Sequence, residues 1–141
     1  MKLYKASHTV FSLKYHIVWI TKKRVRKFYR LVANRAKEIL AVVGEENDVM
    51  IEELSVEPDH VHLYAMIGPE QALCDAIASL KSGSAKLLQQ EYPYLADERG
   101  RVWGRGYFVT SVNDKTTSAV IKKYIQNQWA HRAQVELFEV K

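Results

Sequence analysis

Apolar residues recur at every second position over FSLKYHIVWIT, from Phe11 to Thr21. Phe11, Leu13, Tyr15, Ile17 and Trp19 share one side of an extended chain, and Lys14 and His16 share the other, which is the pattern of a half-buried strand. The period then changes. From about Phe28 to Val43, residues Phe28, Leu31, Val32, Ala36, Ile39, Leu40 and Val43 repeat at helical spacing, and Gly44 reads as the stop. Strand patterns return over Val49–Val56 and His60–Ile67, joined by SVEPDH, whose Pro58 and Asp59 are turn residues.

Gly68-Pro69 opens a second helical pattern with the stripe Leu73, Ala76, Ile77, Leu80, Leu87 and Leu88. Gly83 lies inside it at a local cost of about 1 kcal/mol relative to Ala. KSGSAK therefore marks a kink or a place of close approach. Pro93 closes the region, and Asp97–Tyr107 is a loop rich in Gly and Arg. A short strand is expected over Tyr107–Val112. Asn113 or Asp114 then caps a last helix, from about Lys115 to Arg132.

Strand, helix, strand, strand, helix, strand is the ferredoxin-like, RRM-like order of an α+β protein: an antiparallel sheet with helices on one face. The extra C-terminal helix follows it. Residues 1–141 read as one domain, without repeat, linker or low-complexity segment. An apolar fraction of 48 % excludes a disordered chain. The lone cysteine, Cys74, excludes an internal disulfide, suits a reducing cytosol, and falls among apolar helix positions as a small core residue. No signal peptide or transmembrane run is visible, so the expected setting is cytoplasmic. The net charge of +5 points toward an anionic partner, most sharply at TKKRVRKFYR (Thr21–Arg30). The alternative for that run is a solvated turn.

PDHVHLYAMIG carries the candidate chemistry. On a strand, Val61, Leu63, Ala65 and Ile67 face the core, which turns His60, His62, Tyr64 and Met66 to the helix-free face. Two imidazoles lie about 7 Å apart there. That suits two ligands of one metal ion, although a half-exposed strand carries histidines without one. In the last helix Ile121, Tyr124, Ile125, Gln128 and Trp129 form one stripe, with Tyr124 and Gln128 one turn apart. Laid over the open face, that helix brings Gln128 toward His60 and His62. Two nitrogens and an amide oxygen accommodate Mg²⁺ or Mn²⁺, and Zn²⁺ also binds histidines. Tyr124 is then a candidate nucleophile, against the plain reading of a packed helix tyrosine. His131 is a weaker substitute for Gln128.

Together YHIVWITKKR, PDHVHLYAMI, SLKSGSAKLL, WGRGYFVTSV and YIQNQ, in that order from about residue 8 to residue 131, resemble the single-tyrosine HUH transposases of small hairpin-ended insertion sequences. These are the transposase-A type, related to the REP-associated tyrosine transposases. The resemblance implies an enzyme that cuts single-stranded DNA beside hairpins. Tyr124 forms a 5′-phosphotyrosine link, a 3′-hydroxyl is released and later rejoins strands, and His60, His62 and Gln128 hold Mg²⁺ or Mn²⁺. It also implies a homodimer whose tyrosine helix often serves the partner, and a prokaryotic protein acting at the nucleoid. Lys14, His16, Arg24 and Arg105 are candidate DNA contacts, and Trp103 and Tyr107 are either base-stacking platforms or core anchors. LKSGSAK departs from the family's LKGRSAR-like block, and Lys22-Lys23-Arg24 is more basic than usual. The competing readings are a domesticated relative, a non-catalytic binder of single strands or hairpins, and a metal-dependent hydrolase that uses water.

Overall fold

The structure, a computed structural model, describes residues 4–6 and 8–111. Its elements are β1 (Tyr4–Ala6), β2 (Thr9–Phe11), β3 (Lys14–Ile20), α1 (Arg30–Glu46), β4 (Val49–Glu57), β5 (His60–Ile67), α2 (Leu73–Glu91) and β6 (Phe108–Ser111). The last helix expected from the sequence, with Tyr124, Gln128 and His131, lies outside the described residues.

The main sheet runs β4-β5-β3-β6 with antiparallel pairs throughout. This is the ferredoxin-like order, with the first and third strands of the motif side by side at the centre. Alternation decides which face is buried. Ile17 and Trp19 of β3 and Val61, Leu63, Ala65 and Ile67 of β5 enter one core with Ala36, Ile39, Leu40 and Val43 of α1 and Ile77, Leu80 and Leu88 of α2. Both helices therefore cover one face of the sheet, as the sequence pattern requires.

The differences from the sequence reading have local causes. Phe11 belongs to a separate β1–β2 hairpin and packs on Gly68, so the central strand begins at Lys14. Leu31 is 79 % exposed, because the inward face of α1 runs through Ala33, Ala36, Ile39, Leu40 and Val43. Gly44 does not stop α1. It sits where a Cβ would meet the Ile51 side chain at 2.9 Å, so it permits close approach to β4. The helix ends two residues later, beside Asn47, whose side-chain N–H donates to the Val43 carbonyl at 2.7 Å. Pro69 does not open α2, since Ala72 is still extended and the helix begins at Leu73. Cys74 is exposed rather than buried, one residue off the stripe that Leu73, Ala76, Ile77 and Leu80 turn inward. Gly83 is the expected close approach: a Cβ there would lie 2.8 Å from Val43, where α2 crosses α1.

Candidate functional site

The helix-free face of the central strands carries His60, His62, Tyr64 and Met66 from β5, opposite Ile20, Val18, His16 and Lys14 of β3. Ser55 and Glu57 flank the histidines on β4, with Glu53 beside Tyr64. Phe108 and Thr110 continue the row on β6. His60 and His62 are both half-buried on this face, as the alternation requires.

His60 is held by its neighbour in sequence. Its Nδ1 lies 2.8 Å from Oδ1 of Asp59, and Arg24 Nε donates to Oδ2 of the same carboxylate at 2.8 Å. Burial pushes the Asp59 carboxyl up, but the hydrogen bonds from His60 and Arg24 and the guanidinium charge outweigh it and hold the group below the ordinary Asp value. An ionised carboxylate only accepts, so Nδ1 of His60 must be the protonated nitrogen. In the neutral ring this leaves the lone pair on Nε2.

The loop that supplies Arg24 is clamped onto the same turn. Thr21 N–H donates to the Asp59 carbonyl at 3.0 Å, and the amides of Lys27 and Phe28 donate to the Pro58 carbonyl. The Thr21 hydroxyl donates to the Val25 carbonyl at 2.6 Å. Lys23 and Arg24 both take left-handed backbone, with φ of 58° and 56°. Non-glycine residues adopt that region only where the surroundings enforce it. Arg24, a candidate DNA contact from sequence, is thus placed on Asp59 inside the protein.

His62 has a different environment. Its Nε2 lies 3.2 Å from Nδ1 of His16, with the rings tilted at 45°, and Tyr64 meets His16 edge-on. Burial lowers the pKa of both rings; the charges of His16 and His60 lower His62 further, and Glu53 pulls both upward. His16 therefore belongs to the histidine cluster, a contact that the β3–β5 register brings about and sequence spacing did not reveal.

Among the described residues no group of three or more His, Cys, Asp or Glu side chains forms a metal-binding cluster. The donor set still fits a divalent ion that takes two imidazoles and completes its shell elsewhere. His60 has Nδ1 fixed by a carboxylate, which leaves Nε2 as the ring's lone-pair donor, the usual chemistry of a ligating histidine. His62 fits once its ring nitrogen turns from His16.

The remaining candidates separate clearly. Lys14 pairs with Glu52 at 3.1 Å and lies over the Tyr64 ring. Arg105 is exposed on the Gly104–Gly106 loop, which Lys81 holds by donating to the carbonyls of Gly104 at 2.8 Å and Gly106 at 2.7 Å. Burial pushes the Lys81 ammonium down to about 8. Gly104 N–H reaches the Ile20 carbonyl, so this loop stands at the His60 end of the sheet. Trp103 is buried; its Nε1–H donates to the Ser84 hydroxyl at 3.0 Å, and its ring stacks on Phe28 and meets Trp19 edge-on. It is a core anchor and not a base platform. Tyr107 is half-buried and packs against the core edge.

Comparison with known proteins places these features in a lineage. Residues 9–128 match the family described as "Transposase IS200 like". The ISDra2 transposase TnpA of Deinococcus radiodurans is 33% identical over 130 residues, covering 91% of this chain and 92% of that protein. The transposase of insertion sequence element IS200 from Salmonella typhimurium is 33% identical over 124 residues, covering 86% of this chain and 80% of its own. A crystallised Deinococcus radiodurans protein described as a transposase superposes with a TM-score of 0.82 at 34% identity, covering 91% of this chain and 98% of its own. A REP-associated tyrosine transposase bound to a REP hairpin shares the fold, with a TM-score of 0.54 at 12% identity over 93% of this chain and 74% of its own.

Proposed function

The chain belongs to the IS200-like transposases, and we propose that it cuts and rejoins single-stranded DNA beside hairpins through a covalent tyrosine link. The observation that carries this reading is the pair His60 and His62 on the helix-free face, with the Nδ1 proton of His60 already committed to Asp59.

In this reading His60 and His62, with Gln128 from the C-terminal segment, hold Mg²⁺ or Mn²⁺. That ion supplies Lewis-acid polarisation of the scissile phosphate. The Tyr124 oxygen attacks phosphorus and gives up its proton. The bond from phosphorus to the 3′ oxygen breaks, that oxygen takes up a proton and leaves as the 3′-hydroxyl of the upstream fragment, and the downstream fragment stays on the tyrosine through its 5′-phosphate. Reversal by another 3′-hydroxyl rejoins strands, so no nucleotide cofactor is consumed. Arg105 is suited to a phosphate, because it projects from a loop whose backbone Lys81 fixes. Lys14 and His16 border the same face. A homodimer with joined sheets and a tyrosine helix that serves the partner's histidines completes the proposal.

Cleavage of hairpin-bearing single strands with Mg²⁺ or Mn²⁺ tests it. Cutting should need the metal and should disappear in His60→Ala, His62→Ala and Tyr124→Phe. Binding without cutting by the wild type would support a pure binder instead, and cutting that survives Tyr124→Phe would support a hydrolase.

A further inference from the structure

A buried carboxylate with one oxygen on a histidine and the other on an arginine sits at the edge of the site. Asp59 is 6 % exposed, and the two side-chain hydrogen bonds, to His60 and Arg24, are both 2.8 Å. Its backbone carbonyl accepts from Thr21, so the turn itself cannot drift. The arginine arrives on a loop bent through two left-handed non-glycine residues. Nothing in the chemistry of the proposed cut uses either side chain directly.

We propose that Asp59, anchored by Arg24, is a positioning residue that fixes the tautomer and ring orientation of His60, presenting Nε2 to the open face as a metal ligand. The inference rests on the metal reading above for its purpose, but its structural core does not. A carboxylate behind a ligating imidazole sets which nitrogen is free and how the ring points, and its loss commonly weakens metal binding roughly 10- to 100-fold. The basic residue in the TKKR turn therefore acts inside the protein, on one oxygen, and leaves the other oxygen for His60.

The geometry makes a nearly isosteric substitution decisive. In Asp59→Asn, the Arg24 Nε–H still requires an acceptor, so the amide oxygen stays on Arg24 and its NH₂ turns to His60. Nδ1 of His60 must then accept, and the proton moves to Nε2, the nitrogen needed for metal. Adding Arg24→Met releases the amide, which can turn its oxygen back to His60.

The experiment combines ¹⁵N NMR of the histidine rings with Mn²⁺ binding in the absence of DNA, on the full chain. Wild type should show His60 protonated at Nδ1. Asp59→Asn should show it protonated at Nε2 and should bind Mn²⁺ at least roughly tenfold more weakly. The double variant Asp59→Asn/Arg24→Met should regain the Nδ1 proton and part of the affinity, which a merely structural role does not produce. A folded Asp59→Asn protein with an unchanged His60 ring and unchanged Mn²⁺ binding overturns the proposal. If Asp59→Asn does not fold, Arg24→Met alone carries the test: the Nδ1 tautomer should be diluted and affinity should fall several-fold, and an unchanged ring and affinity overturn it. His60→Ala runs alongside. Wild-type Mn²⁺ binding no better than that of His60→Ala defeats the metal reading, whereas the tautomer shift reports on Asp59 in either case.

Discussion

Nδ1 of His16 lies 3.2 Å from Nε2 of His62, across the seam between the two central strands. Each ring limits the rotation of the other, and burial keeps both below the ordinary histidine pKa. His16 is therefore a neighbour of the candidate ligand before it is a contact for DNA. Nε2 of His62 must leave His16 before it can take a metal, so His16→Ala should strengthen Mn²⁺ binding by about threefold, the release of a hydrogen bond worth about 0.5–1.5 kcal/mol. Metal-free strand binding should change by less than that. Titration with Mn²⁺ and a strand-binding assay without metal check both halves.

Trp103 closes the core where α2 meets the sheet, stacked on Phe28 and bonded to Ser84. Trp103→Ala should cost about 3–5 kcal/mol, the range for deleting a large buried aromatic. Trp103→Phe keeps most of the ring and loses the hydrogen bond, at about 1 kcal/mol. Urea unfolding measures both. A base-stacking role would instead lower strand affinity in Trp103→Phe without that loss of stability.

Gly83 tests whether helix propensity or packing governs the middle of α2. In an exposed helix Gly→Ala stabilises by about 1 kcal/mol. Here the new Cβ would lie 2.8 Å from Cγ1 of Val43, a stiff and buried side chain. Gly83→Ala should therefore destabilise, by about 1–2 kcal/mol, as overpacking does. Thermal unfolding gives the sign directly.

Lys81 gives a pH signature. Its pKa is lowered from 10.5 to about 8 by burial, so between those values the unfolded chain holds a proton that the folded protein has released. Stability from this residue must then rise as pH rises through that window. The neutral amine keeps two N–H donors, enough for the carbonyls of Gly104 and Gly106. Urea midpoints of wild type should gain on those of Lys81→Met from pH 8 upward. A gain in the opposite direction would refute the assignment.

The sheet was legible because its strands alternate cleanly. β5 spans His60–Ile67, as the pattern of Val61, Leu63, Ala65 and Ile67 indicates. The β1–β2 hairpin was not legible, since strands of three residues are too short to show a period. In the site, the face of His60 and His62 followed from the same alternation. Asp59 and Arg24 did not, because one read as turn punctuation and the other as part of a basic run. Their bond joins positions 35 residues apart, through backbone that only tertiary contacts hold. The available signal was local: a carboxylate directly before a His-x-His pair. Tyr124 and Gln128 rest on the family resemblance and helical spacing, and they lie outside the described residues.

The central claim is transfer of the 5′-phosphate end of the downstream fragment to Tyr124. It is tested most directly by a hairpin-bearing single strand labelled in turn at its 3′ end and its 5′ end, incubated with Mn²⁺ and run on a denaturing gel. The expected result is a protein-bound band from the 3′ label only, a shortened free strand from the 5′ label, and neither with Tyr124→Phe. Two free fragments with no protein-bound label, or an adduct that persists in Tyr124→Phe, would contradict it.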